Sequence, residues 1–312
     1  MNKIQKIVDK IKLRFYKPRS WKYLVSSLRL EYVQDIQEHG NKLLLKRLGI
    51  EIEKDNFKYL LEAYRYALFL KNEVDAIFKI EDNLLYISID TLTFEIQTSE
   101  EFFILNEIFV EGVYNFISNK PDEDYVLIDI GMNVAYASCY FAKVKNIANI
   151  ISFEPFTPTF EQAQRNIALN NLESIIKINN YGLGGKSEKL SVEYTPEFKG
   201  QVGTQGVDNI RSKIENKELE EIEIKSGYQP LYDISQKFLS KRFILKIDCE
   251  GAEYDLIETI PDTILRDCDI IMMEWHEKGS KKIEEWLIKN RFSLMSFNPN
   301  SKRVGMIYAI KN

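Results

Sequence analysis

The stretch Val126-Leu127-Ile128-Asp129-Ile130-Gly131-Met132-Asn133-Val134-Ala135 decides the fold. Its first five residues are a run of aliphatic side chains broken by one acid, too apolar to leave either face of a strand in water, and Gly131 ends it. Ala135–Lys145 then reads as a helix and Asn149–Phe153 as a second apolar strand, ended by Glu154-Pro155. Thr159–Asn170 reads as a second helix and Ile175–Asn179 as a third strand. Strands and helices alternating at these lengths predict a parallel sheet covered on both faces. The alternation resumes through Phe243–Ile247, Tyr254–Thr259, Asp269–Glu274 and Lys281–Lys289. Phe292–Phe297 and Val304–Ile310, separated by Asn298-Pro299-Asn300-Ser301, predict a hairpin that closes the sheet with an antiparallel edge.

Upstream of Pro121 the pattern differs. Residues 1–75 read as a helical region: Ile4, Ile7, Val8, Ile11 and Phe15 share one helical face, Pro18 interrupts it, and Tyr23–Glu38 and Phe57–Asn72 continue the helical spacing. Ala76–Ile80, Leu84–Ile89 and Thr91–Gln97 read as a small β-meander and Glu100–Phe116 as a helix. The expected organisation is a helical N-terminal region over 1–75, a β/α lead-in over 76–120 and one α/β domain over 121–312.

The 312 residues carry a formal net charge of −5, which argues against a nucleic-acid partner. Basic residues crowd the start: Lys3, Lys6, Lys10, Lys12, Arg14, Lys17, Arg19, Lys22 and Arg29 face only Asp9. Residues 1–20 are therefore expected either to make peripheral contact with the inner face of a membrane or to pack on the domain or on a second subunit of a homodimer, with the lysines in water. Cys139, Cys249 and Cys268 have no metal-like spacing and suit a reducing, cytoplasmic setting. No apolar run approaches a membrane span or a signal-peptide core.

In open parallel sheets a ligand lies outside the carboxyl ends of the strands. Gly131 and Asn133 sit at the first such end, and Glu154 ends the next strand, where an acid reaches ribose hydroxyls. A dinucleotide needs a second glycine for its pyrophosphate, but Asn133 stands there and Asp129 would repel the phosphates. S-adenosylmethionine carries a sulfonium and an ammonium, which a nearby carboxylate favours. Asn180, in the glycine-containing turn Asn180-Tyr181-Gly182-Leu183-Gly184, either packs near the adenine or belongs to a plain turn.

Lys246-Ile247-Asp248-Cys249-Glu250-Gly251-Ala252-Glu253 leaves a buried strand directly into charge. Asp248 and Glu250 are expected beside the reacting centre, whereas Glu253 reads as the start of a helix. His276, ending Glu274-Trp275-His276, reaches the same crevice edge. Asp248, Glu250 and His276 are the candidate general bases. Lys246 either orients the acceptor or pairs with a neighbouring acid. Asp248 and Glu274 could converge on a divalent metal, but two acids are a thin basis and a metal-free site is the preferred reading. Gly200-Gln201-Val202-Gly203-Thr204-Gln205-Gly206 suits a flap or a surface loop, and Glu218–Glu223 reads as a solvated edge.

Val126–Asn133, Ser152-Phe153-Glu154-Pro155 and Leu245–Glu253, with Glu107–Tyr114 upstream, together resemble the FkbM family of methyltransferases over roughly the last 220 residues, a span that fits a single domain. The resemblance implies a Rossmann-like class I methyltransferase fold with a seven-stranded, mostly parallel sheet. Asp129, Gly131, Asn133, Glu154, Pro155 and Asn180 are the candidate residues around S-adenosylmethionine. The implied reaction is O-methylation of a sugar in a surface polysaccharide or lipid-linked glycan, or else of a secondary metabolite. Ala135 departs from the family's usual glycine. A nicotinamide oxidoreductase is disfavoured by the missing glycines, and a non-catalytic binding protein by the retained acids.

Overall fold

The computed structural model describes residues 20–28, 30–115, 125–195, 218–298 and 304–312. The expected first helix, the membrane-facing segment 1–20 and the flap at Gly200–Gly206 lie outside the described residues, apart from Ser20. The chain forms two compact units, Met1–Val113 and Tyr114–Asn312.

In the first unit, α1 (Trp21–Leu28) leads into a 3-10 turn, Leu30–Asp35, and then into strands β1 (Ile36–His39), β2 (Lys42–Leu45) and β3 (Ile50–Glu53). These strands pair antiparallel as a meander, which corrects the expectation of helix through this stretch. Ile50-Glu51-Ile52-Glu53 alternates buried and exposed, a period of two. Gly40 and Gly49 take the left-handed backbone that the connecting turns need. Helices α2 (Lys58–Glu62) and α3 (Tyr64–Glu73) follow. Then come β4 (Ile77–Glu81), β5 (Leu84–Ile89) and β6 (Leu92–Ile96), the expected antiparallel meander, and α4 (Ser99–Leu105).

The second unit holds β7 (Tyr125–Ile130), α5 (Tyr136–Lys143), β8 (Asn149–Phe153), α6 (Thr157–Leu169) and β9 (Ile176–Asn179). Strands β10 (Gly182–Gly184), β11 (Glu188–Tyr194) and β12 (Glu218–Ser226) form a separate sheet before α7 (Tyr228–Lys237). The chain returns to the main sheet with β13 (Arg242–Ile247), α8 (Glu253–Leu256), α9 (Asp262–Asp267) and β14 (Cys268–His276). It ends with α10 (Lys281–Lys289), β15 (Phe292–Asn298) and β16 (Val304–Lys311).

The main sheet has seven strands in the order β15-β16-β14-β13-β7-β8-β9. Five central and flanking strands run parallel, and β16 runs antiparallel to both its neighbours. The hairpin thus supplies the reversed strand, but that strand lies one place inside the edge and β15 forms the edge itself. Helices on both faces bury the sheet, so Val126, Ile128, Phe243, Leu245, Ile271 and Met273 share one continuous core. In the small sheet β12 is central, with Ile222 and Ile224 buried against Phe156, Val192 and Tyr194. The acidic run Glu218–Glu223 is therefore mid-sheet and not a free edge; its alternation sends Glu221 and Glu223 out and Ile222 in. Among the described residues, no helix is long and apolar enough to cross a membrane.

Candidate active site

Strands β7 and β13 are neighbours in parallel register, with Lys246 opposite Asp129. Both side chains are buried, at 3% and 0% exposure, and Lys246 Nζ lies 3.0 Å from Asp129 Oδ1. The ammonium also donates to the carbonyl of Gly131 at 2.7 Å. Asp129 Oδ2 accepts from the Ser138 hydroxyl at 2.6 Å, and that hydroxyl lies 2.9 Å from Ser152 Oγ. Burial works against the Lys246 charge, but Asp129, with Tyr114 and Asp248 behind it, outweighs burial and raises the pKa above the ordinary lysine range. Asp129, expected to face the cofactor, is thus turned into the protein, and Lys246 takes the pairing role.

The pair props up the turn that follows β7. Gly131 has φ +81°, and a Cβ there would lie 1.6 Å from the carbonyl oxygen of Asp248, so no side chain fits. Asn133 and Ala135 are also left-handed, at φ +52° and +66°. Asn133 offsets this with its Oδ1, which accepts from the Val134 N–H at 2.7 Å. From α6 the buried Asn166 donates to the Val134 carbonyl at 2.9 Å.

Above this turn opens a cleft. Gly131, Asn133, Glu154 and Pro155 line it together with Asp248, Cys249 and Glu250, and Phe156, Leu183 and Ile224 add apolar surface. Gly182 lets that surface close, since a Cβ there would meet Ile224 Cδ1 at 2.7 Å. Glu154, Asp248 and Glu250 give the lining its charge, and among the described residues no lysine or arginine lines it.

Glu154 is buried to 6% exposure. Its Oε2 accepts from the Asn133 N–H at 3.0 Å and its Oε1 from the Phe156 N–H at 3.1 Å. Burial pushes its carboxyl up to about 7, against the pull of those two N–H groups. Asn180, read either as packing near the adenine or as part of a plain turn, donates to the carbonyls of Glu154 and Pro155 at 3.1 and 3.3 Å and braces this segment.

At the other end of the cleft, Glu250 has φ +49° and Gly251 φ +101°, a strained turn of the kind found where function fixes a side chain. Glu253 holds that turn. It is fully buried, and its Oε2 accepts from the Gly251 N–H at 2.8 Å while its Oε1 accepts from the His276 N–H at 2.8 Å. His276 Nδ1 lies 3.3 Å from the same Oε1, and Nε2 lies 3.6 Å from Glu250 Oε2 and 4.0 Å from Glu274 Oε1. Burial opposes a charge on His276, yet Glu253, Glu250 and Asp248 carry its pKa up to about 10. Tyr254 secures the following loop, its hydroxyl lying 2.7 Å from the His276 carbonyl and 2.9 Å from that of Gly279.

Two residues of this end were not singled out in the sequence as part of the site. Glu253 was read only as a helix start; its signal is an acid between Ala252 and Tyr254 with no solvent-facing neighbour. Tyr114 was read as an apolar helical position, yet its buried phenol is pushed well above its ordinary value, first by burial and then, against the pull of Lys246, by Asp248, Asp129 and Glu274.

Comparison with known proteins follows this geometry. The Methyltransferase FkbM domain matches residues 129–294. "Methyltransferase sdnD" of Sordaria araneosa is 24% identical over 227 residues, covering 64% of this chain and 84% of that protein. "Hexuronic acid methyltransferase AglP" of Haloferax volcanii is 26% identical over 187 residues, covering 59% of this chain and 70% of that protein. Among solved structures, the methyltransferase FkbM from Methylobacillus flagellatus KT is similar over 63% of this chain and 45% of its own, at 12% identity and a TM-score of 0.43. With that domain matching more than half of its length, the chain belongs to the FkbM family of methyltransferases.

Proposed function

We propose that this methyltransferase takes its methyl group from S-adenosylmethionine and delivers it to a hydroxyl oxygen of a carbohydrate. The observation that carries the donor is the charge of the cleft: among the described residues three carboxylates line it, and no lysine or arginine does. That lining attracts a sulfonium and an ammonium and repels a diphosphate, so it favours this donor over a nicotinamide dinucleotide. Glu154, at the cleft floor, suits the ribose hydroxyls, because its two backbone hydrogen bonds leave lone pairs directed into the cavity. Phe156, Leu183 and Ile224 suit the adenine, and Asp248 and Glu250 the cationic end.

Bound, the donor supplies an electrophilic methyl on sulfur. The protein's task is to hold an acceptor oxygen in line with it and to exclude water. An alcohol needs a base as its oxygen becomes an ether, and Asp248 and Glu250 are the lining acids at that end. Lys246 and Asp129 position the glycine turn from inside the protein and touch no ligand.

The carbohydrate acceptor rests on the likeness to a protein named for hexuronic acid. Glu154→Ala is expected to abolish calorimetric binding of S-adenosylmethionine, while Asp248→Ala weakens binding without abolishing it and loses turnover. Unaltered donor binding by the Glu154 variant would refute the assignment of the floor. For the acceptor, mass spectrometry of glycans from cells with and without the gene should reveal the loss of a methyl. Intact glycans alongside an unmethylated small molecule would shift the acceptor to a secondary metabolite.

A further inference from the structure

Asp248, which lines the cleft, comes together with Glu274 and His276, with one donor atom from each lying within 4.8 Å of the others. They come from two adjacent parallel strands. Glu274 and His276 are two residues apart on β14 and so face the same way, while Asp248 is the first residue beyond β13. The topology thus delivers two hard carboxylate donors and one imidazole to a single point from rigid elements.

The orientation of His276 is the second observation. Its side chain is 91% buried, being 9% exposed, and Nδ1 closes no hydrogen bond. Nε2 lies 3.6 and 4.0 Å from Glu250 and Glu274, beyond hydrogen-bond reach of either. The ring is nonetheless fixed: the fully buried Glu253 lies 3.3 Å from Nδ1 and anchors the His276 backbone N–H at 2.8 Å. A buried carboxylate behind one imidazole nitrogen, with the other aimed at a set of acids, is the arrangement that orients a metal-binding histidine.

We propose that Asp248, Glu274 and His276 hold a divalent cation, and that the cation binds the acceptor hydroxyl. One nitrogen and two carboxylates suit an ion of intermediate character, Mn²⁺ or Zn²⁺, more than Ca²⁺, which takes oxygen ligands in larger number. Three protein ligands leave positions open for the acceptor. Coordination lowers the pKa of the hydroxyl, its proton passes to the Glu250 carboxylate, and the oxygen lone pair forms the new bond to carbon as the carbon–sulfur pair returns to sulfur. The use of the cation rests on the hydroxyl-methylating reading above; its binding does not.

The test is therefore made on the full chain with no donor or acceptor present. Electron paramagnetic resonance should register Mn²⁺ binding as a saturable loss of the free-ion signal at one equivalent, displaced by Zn²⁺ and not by Ca²⁺. Glu274→Gln and His276→Gln should each remove that binding. Glu253→Gln, which keeps all three ligands and loses only the ring's support, should weaken it by about 10–100-fold. S-adenosylmethionine binding, measured separately by calorimetry, certifies that each variant is folded and keeps the donor reading on its own footing. Absence of saturable binding to the wild-type chain, or binding that the ligand variants leave unchanged while still taking up the donor, overturns the proposal.

Discussion

Lys246→Met is the sharpest test of how the cofactor turn is held. The substitution keeps the volume of the stem but removes an ammonium that lies 3.0 Å from Asp129 Oδ1 and 2.7 Å from the Gly131 carbonyl. At 3.0 Å and an effective dielectric constant of about 20, the gross attraction within the pair is roughly 5.5 kcal/mol. Removing one partner of such a buried pair typically costs about 3–5 kcal/mol, because the other charge stays behind without compensation. A loss near 4 kcal/mol is expected, and for a unit of this size that lowers Tm by roughly 8–16 °C. Asp129→Asn should recover part of the loss when combined with Lys246→Met, since an amide tolerates the site without a countercharge. The assay is urea unfolding in a Trp21→Phe background, so that the fluorescence of Trp275 and Trp286 reports on the second unit alone. A double-mutant cycle then gives the coupling, expected at about 2–3 kcal/mol. Additivity within about 0.5 kcal/mol would refute the claim that the two residues act as one support.

Glu154 sets a pH dependence. Its carboxyl, raised from 4.5 to about 7, binds a proton more tightly when folded, so its contribution to stability is present below pH 4.5 and is lost as pH rises through 7. The span corresponds to at most about 3 kcal/mol, and Glu154→Gln should flatten that part of the stability profile; an unchanged slope in urea melts across this window would count against the shift. Hydroxyl donors and a cationic ligand favour the carboxylate, so S-adenosylmethionine binding below pH 7 should release a proton. Calorimetry in two buffers of different ionisation enthalpy would reveal it, and identical heats would contradict it. Ala135→Gly should stabilise the free protein by about 1 kcal/mol by relieving a left-handed alanine at φ +66°; a loss of stability in the same urea assay would mean the backbone there is not strained.

The main sheet was legible because its central strands are buried on both faces and therefore written as apolar runs, from Tyr125–Ile130 to Cys268–His276. The region around Ile36–Glu53 was not, because its strands are only four residues long and each buries only one or two side chains. Two apolar residues two apart mark a strand, but the next pair lies beyond a glycine turn, and together they can be read along a helix. Glu218–Glu223 misled for a related reason. Acids on the outer face of a strand dominate its composition, while the fold depends on the inward-facing Ile222 and Ile224.

The site shows which part of residue chemistry can be read from position along a strand. Asp129 and Glu154 both read as acids at strand ends, yet Asp129 lies within β7, one residue before its close, and Glu154 lies one residue beyond β8. A charge inside a strand covered on both faces has no water to turn to and must be met by an opposite charge on a neighbouring strand. Lys246 holds the equivalent place in β13, one residue before its end, and the two are direct partners in register. Asp248 and Glu250 follow β13 as Glu154 follows β8, and these three line the cleft. Acids within the strands are thus committed to the scaffold, and acids just beyond them are available to a ligand. Glu274 and His276 depart from this rule: they lie at the end of β14 and converge with Asp248, where the proposed cation would bind all three.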